Sequence, residues 1–181
     1  MPKNQTSQWE IFYISVSSGS TCAPGALTSD GLHLIPERAI NDGFVLARVP
    51  SGNQRLGCQA KALLDNAAAD LAKDEQATLK SINSLQGGFL QDDLYVFVVN
   101  LDNQRYLAHG TNLRLINTDF SKIKDPEGKP VGEPILALMA RQDDGEYEYR
   151  WKNPVTGKVE DKHAYLKKAG HFLVAVGYYS P

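Results

Sequence analysis

Leu94-Tyr95-Val96-Phe97-Val98-Val99 is a run of β-branched, aliphatic and aromatic residues, too short for a core helix. Asp92-Asp93 precedes it and Asp102-Asn103 follows it, so turn chemistry bounds the run on both sides. The second pair leads into Arg105-Tyr106-Leu107-Ala108-His109, which completes an antiparallel hairpin. Working downstream, Asn112 to Lys124 reads as loop with a helical turn. Asp125-Pro126-Glu127-Gly128-Lys129-Pro130 is a turn cluster, and Ile135, Leu136, Leu138 and Met139 predict a short helix. Three further strands are expected at Tyr147 to Lys152, Lys158 to Lys168 and Phe172 to Tyr179. The turns Asn153-Pro154-Val155-Thr156-Gly157 and Ala169-Gly170-His171 join them.

Upstream of the hairpin the pattern is helical. Ala60, Leu64, Ala67 and Leu71 recur at spacings of three and four, with Lys61, Asp65 and Asp70 off that stripe. Asp74 is placed to cap a second, shorter helix whose inner face is Leu79, Ile82 and Leu85. Helices followed by an antiparallel meander make an α+β plan of five to six strands. The leading helix buries its stripe against one sheet face. The Asn112–Met139 crossover covers the other face, where a cavity is expected.

Residues 1–57 lack any sustained period and are punctuated by Ser, Gly and Pro. They read as a weakly structured leader of uncertain origin, with a short hairpin around Trp9 to Ser17 as an option. The folded domain is expected to occupy 58–181. No convincing signal peptide is present, and no apolar run reaches the length of about 18 residues needed to cross a bilayer. Cys22 and Cys58 could form one disulfide, but their separation in sequence favours two independent thiols. Neither has the spacing of a zinc site. With 19 Lys and Arg against 21 Asp and Glu, the net charge of −2 leaves no positive excess for nucleic acid.

The motifs, taken in order, resemble single Cache domains, the sensor modules of chemoreceptors and histidine kinases. Tyr95-Val96-Phe97-Val98, Asp102 and Ala108-His109 resemble the opening hairpin, and Lys124 to Pro130 resembles the mid-domain turn. Tyr149-Arg150-Trp151-Lys152-Asn153-Pro154, Lys162-His163-Ala164-Tyr165 and Val176-Gly177-Tyr178-Tyr179 resemble the last three strands. The resemblance runs from Ala60 to Pro181 and is strongest to small stand-alone bacterial Cache proteins. Gly110 stands where receptor versions usually have proline, and the leader replaces an export signal. The resemblance implies a PAS-like sheet, a periplasmic or extracellular setting, and recognition of a small organic acid such as acetate, propionate or pyruvate. Signalling would pass to a separate receptor, kinase or other partner.

A short carboxylate needs a cation or strong donors at one end and an apolar wall at the other. Lys162 supplies the charge; Tyr165, Tyr149 and His109 supply donors; Tyr95, Phe97 and Trp151 supply the wall. Strand parity puts Tyr95 with Phe97 and Tyr149 with Trp151, and sends Arg150 to the opposite face. Lys162 and Tyr165 are three apart and agree only if a bulge intervenes. In the other register Arg150 becomes the carboxylate ligand. Each residue also has an ordinary reading: core aromatics, a structural histidine, a surface lysine. His163 and His171 are assigned to surface or turn, with no metal role.

Catalytic motifs are missing. Gly128-Lys129-Pro130 lacks the glycine-rich approach of a phosphate loop, no GxSxG elbow occurs, and neither cysteine has a histidine motif. Glu146 and Glu148 read as exposed acids on an edge strand. The expectation is a binding module without cofactor, and not an enzyme.

Overall fold

In the computed structural model, residues 52–85 and 88–180 are described. Residues 1–51 of the expected leader, with its optional hairpin, lie outside them, and residues 52–57 are helical rather than weakly structured. Helix α1 spans Gly52–Lys73, beginning six residues before the expected domain start, and α2 spans Glu75–Asn83. The Asp74 side chain accepts a hydrogen bond from the Ala77 N–H at 3.0 Å, the N-cap geometry expected of it. Strands β1 (Leu90–Gln91), β2 (Leu94–Asn100) and β3 (Arg105–His109) follow. The crossover comprises two 3₁₀ turns (Leu113–Leu115 and Phe120–Lys122) and helix α3 (Gly132–Met139). Strands β4 (Asp144–Lys152), β5 (Val159–Ala169) and β6 (Phe172–Ser180) finish the domain.

The six strands form one antiparallel sheet in the order β1-β2-β6-β5-β4, with β3 also on β2. The C-terminal strand therefore lies in the middle, beside the strand that opened the sequence argument. Both of these strands are buried on both faces, which is why they read as continuous apolar runs rather than as alternation. β4 is an edge strand, and its outward residues Glu146, Glu148 and Arg150 are exposed.

The two faces bury separate cores. Ala60, Leu63, Leu64, Ala67, Ala68 and Leu71 of α1 pack against Val96, Val98, Val174 and Val176. Ile82 of α2 joins this core, but Leu85 does not: it sits beyond the helix end at φ 59° and is 37% exposed. Thr78 takes the inner position instead, its hydroxyl donating to the Asp74 carbonyl at 2.7 Å. On the far face, Tyr95, Phe97 and Val99 meet Phe120, Val131, Ile135 and Met139 from the crossover.

Cys58 is disulfide-bonded, not an independent thiol. Among the described residues no helix is long and apolar enough to cross a membrane.

Candidate functional site

The crossover face gathers six of the seven residues expected to form the site. Tyr95 and Phe97 come from β2, His109 from β3, Tyr149 and Trp151 from β4, and Lys162 from β5. Tyr165 is the exception. β5 pairs without interruption with β4 and β6, so no bulge corrects its parity, and Tyr165 faces α1. There Lys61 Nζ lies 4.6 Å from its ring centre. Arg150 is likewise directed away: it is exposed and pairs with Glu127 and Asp161. The register in which Arg150 would meet a carboxylate is not the one adopted.

Lys162 is the centre of the arrangement. Opposite it in register are Tyr149 on β4 and Tyr179 on β6. Its side chain crosses over β6 at Gly177, where an added Cβ would come within 2.4 Å of Lys162 Cε. A glycine inside a central strand normally weakens it; here it leaves the lysine room to cross. The Nζ then rests 3.7 Å from the ring centre of Tyr95, with the rings of Tyr179, Phe97 and Tyr149 at 5.3, 5.8 and 5.9 Å. The residue has 0% exposure, and its Nζ has no hydrogen-bond partner.

Burial pushes the Lys162 amine well below its usual basic range, opposed only by the more distant charge of Asp93. A desolvated ring face stabilises a cation by about 2 kcal/mol. Burying an unpaired ammonium costs several kcal/mol, so the neutral amine is favoured in the ligand-free state.

His109 reaches this face by a device that simple alternation misses. The β2–β3 ladder shifts between Val98 and Val99, so Leu107 is an extra residue and both Tyr106 and His109 project towards the aromatic rings. The His109 Nδ1 accepts the backbone N–H groups of Asn112 (3.1 Å) and Thr111 (3.3 Å). Those amides can only donate, so the ring proton sits on Nε2, leaving a neutral donor. Burial lowers the imidazole pKa to about 3, and a proton on Lys162, when one is present, acts in the same direction. Tyr95 Oη lies 3.3 Å from Tyr179 Oη, which donates to the Lys152 carbonyl at 3.2 Å. Tyr106, Tyr179 and Phe120 thus belong to the site's wall, although sequence reasoning does not single them out.

The open space is divided. A cleft of about 490 Å³ is lined by residues including His109, Thr111, Lys124, Trp151 and Lys152. Behind it an inner void of about 10 Å³ lies among Tyr95, Phe97, Tyr106, Phe120 and Tyr149. His109 and Trp151 border both spaces. The inner void holds about one water, and Lys162 lines neither space. The larger cleft adjoins the inner void at His109 and Trp151, while Lys162 is enclosed by aromatic side chains apart from both. Glu146 and Glu148 stand outside this site, paired with Lys61 at 3.4 Å and His163 at 2.8 Å.

His109 makes stability pH-dependent with a definite sign. Its native pKa is depressed, so below the ordinary value of 6.5 the unfolded chain binds a proton that the native state does not. Stability should fall as pH drops from 6.5 towards 5.5, with His109 contributing up to about 1.4 kcal/mol per pH unit beside the slope that the neutral Lys162 amine adds. Urea unfolding across that interval, above the range where carboxylates titrate, measures the slope. An equal slope in His109→Gln would remove the histidine as its source.

Comparison with known proteins places these features in context. The family model described as single Cache domain 2 matches residues 60–179. The methyl-accepting chemotaxis protein McpP of Pseudomonas putida is 29% identical over 125 residues, covering 68% of this chain and 21% of McpP. The sensor histidine kinase MctS of Rhizobium johnstonii is 26% identical over 121 residues, covering 66% of this chain and 25% of that protein. The chain thus matches about a quarter or less of the length of these curated relatives. A solved structure concerned with carboxylic acid recognition by a Cache chemosensory domain aligns with a TM-score of 0.55 at 21% identity. It covers 68% of this chain and 92% of that one. A methyl-accepting chemotaxis protein from Vibrio parahaemolyticus aligns with a TM-score of 0.56 at 16% identity, covering 67% and 86%. At these identities the two structures establish the fold.

Proposed function

The chain belongs to the single Cache domain 2 family, and from that premise we propose that it is a periplasmic sensor module capturing a small monocarboxylate. The observation that carries this reading is the buried Lys162 Nζ, without a hydrogen-bond partner and surrounded by aromatic rings. A carboxylate supplies the missing partner, and the Nε2–H of His109 supplies a second, neutral donor. The phenyl and indole surfaces suit a short aliphatic tail. One buried cationic group matches one carboxylate, so acetate, propionate and pyruvate fit this balance better than a dicarboxylate does.

The closed inner void requires rearrangement before such an acid reaches Lys162. His109 and Trp151, which border both spaces, are the side chains positioned to open the way. A ligand shifts such an equilibrium only by its differential affinity for the open and closed forms. Ordering of the crossover around the acid is then the event passed to a receptor, a kinase or another signalling partner. The reading is of a binding module and not a catalyst.

The inner void of about 10 Å³ also favours a second reading, an interaction domain whose pocket is filled by its own side chains. Thermal unfolding of the full chain with acetate, propionate, pyruvate and lactate separates the two. An acid present at 100 times its Kd should add about 2.7 kcal/mol, or several degrees in Tm. No shift with any of these acids would exclude the sensor reading in favour of the interaction domain.

A further inference from the structure

We propose that the acid is captured together with one proton, which comes to rest on Lys162, so that binding is coupled stoichiometrically to proton uptake. This inference rests on the acid-binding reading above and adds to it a definite exchange with the solvent. The geometry sets the starting state. The Lys162 Nζ is sealed from water, makes no hydrogen bond, and stands over the face of Tyr95. Its stem lies across Gly177, where a side chain on β6 would occupy its place.

No group around it is suited to hold or surrender the proton. From β2, β4 and β6 it faces Tyr95, Tyr149 and Tyr179, phenols whose burial raises their pKa and keeps them protonated. From β3 comes His109, neutral and committed through Nδ1 to two amides. Asp93, at the head of β2, is the acidic group acting on Lys162, but it lies beyond ion-pair distance, and burial raises its own pKa. The crossover contributes Phe120, Ile123 and Val131 to this face, none of them titratable, and Lys124 and Asp125 to the adjoining cleft; Tyr106, also on β3, is kept protonated by burial.

The step balances simply. A neutral amine, a carboxylate anion and a proton from solvent become an ammonium–carboxylate pair, and no covalent bond is made to carbon. The enclosed site is electrically neutral before and after. A carboxylate arriving alone would bring one unmatched negative charge into the aromatic enclosure, which burial disfavours strongly. Arrival of the undissociated acid is thermodynamically the same event.

Two consequences are measurable. While the free amine is neutral and the liganded one charged, affinity should fall about tenfold for each unit rise in pH. Titration calorimetry of the full chain at pH 8 with acetate and propionate, in two buffers of different ionisation enthalpy, counts the protons. The expected result is close to one proton taken up per acid bound, with uptake lost in Lys162→Gln and retained in His109→Gln. Acid binding without uptake would overturn this inference and leave the sensor reading intact. Uptake surviving in Lys162→Gln but lost in His109→Gln would assign the proton to the imidazole and also overturn it. Binding of neither acid, under conditions where no monocarboxylate shifts Tm, would overturn both readings together.

Discussion

Lys162→Met is expected to make the ligand-free protein more stable while weakening its affinity for small acids. Methionine matches the length of the lysine stem and carries no donor to satisfy, so it fills the passage over Gly177 without leaving a buried N–H unpaired. Leaving such a group unsatisfied costs about 1–3 kcal/mol, and a neutral amine has no cation–π attraction to Tyr95 to give up. The net gain should appear as a rise of several degrees in Tm.

Its pH dependence identifies the cause. The native amine has a depressed pKa, so below about 10.5 the unfolded chain holds a proton that the folded chain lacks. The advantage of methionine therefore grows as pH falls from about 10.5 until the native pKa is reached, and shrinks as pH rises towards 10.5. Loss of the charge-assisted bond should weaken acetate or propionate binding by about 1.5–3 kcal/mol, or roughly 10- to 150-fold. A variant less stable than the parent at pH 7 would mean that the aromatic rings hold a charged lysine comfortably and that burial does not neutralise the amine. Retained acid affinity would remove Lys162 from the site. The pattern sought, stability gained and binding weakened, is the signature of a residue kept for function at the expense of the fold.

How far the sequence carried this picture depends on the range over which each signal acts. The α1 stripe, the Asp74 cap, the Leu94–His109 hairpin and the turn at Gly128 (φ 86°) were legible because each depends on a few neighbouring residues. So was the pairing of Tyr95 with Phe97 and of Tyr149 with Trp151, which needs only strand alternation. Alternation held in one instructive place and failed in another. It had to be broken for Tyr165 to join Lys162, and β5 runs straight, so Tyr165 lies under α1. In β3 it is broken, at Leu107, and that break brings Tyr106 and His109 onto one face. A bulge depends on how two strands meet, and nothing local in Arg105–His109 announces it.

Tyr179 was missed for a related reason. Its position opposite Lys162 is set by the β5–β6 register, which follows from the length of a distant turn. Gly177 was the one available clue. It interrupts an otherwise apolar run, and such a glycine can mark a close approach; the lysine stem proves to be what approaches it. The depth of Lys162 itself could not be read, because lysine on an alternating strand is by default solvated.

Gly132→Ala is expected to be the most damaging small substitution in the domain. A Cβ at this position would fall 1.6 Å from the Phe120 carbonyl oxygen, 2.7 Å from its carbon and 3.2 Å from Ser121 Cα. All three are backbone atoms, so no rotamer change relieves the conflict. The two segments are also fastened together. The N–H groups of Val131 and Gly132 both donate to the Ile123 carbonyl, at 2.9 and 3.2 Å. Phe120 cannot move aside freely either, since its ring packs edge-on to Tyr106 at 5.2 Å and against Phe97 at 6.1 Å. Overpacking a well-filled core costs about 1–3 kcal/mol when side chains can adjust. With backbone on both sides the loss should be about 3 kcal/mol or more, read from the urea midpoint. Gly128→Ala provides the contrast, because no heavy atom lies within 4 Å there and only its positive φ resists a side chain. That change should cost about 1 kcal/mol. Because Phe120 also walls the inner void, Gly132→Ala should weaken acid binding even at temperatures where the protein remains folded, whereas Gly128→Ala should spare it. Equal costs for the two substitutions would mean that the Phe120–Lys122 turn is not held against α3 by backbone contact, and the enclosed aromatic site would lose its roof.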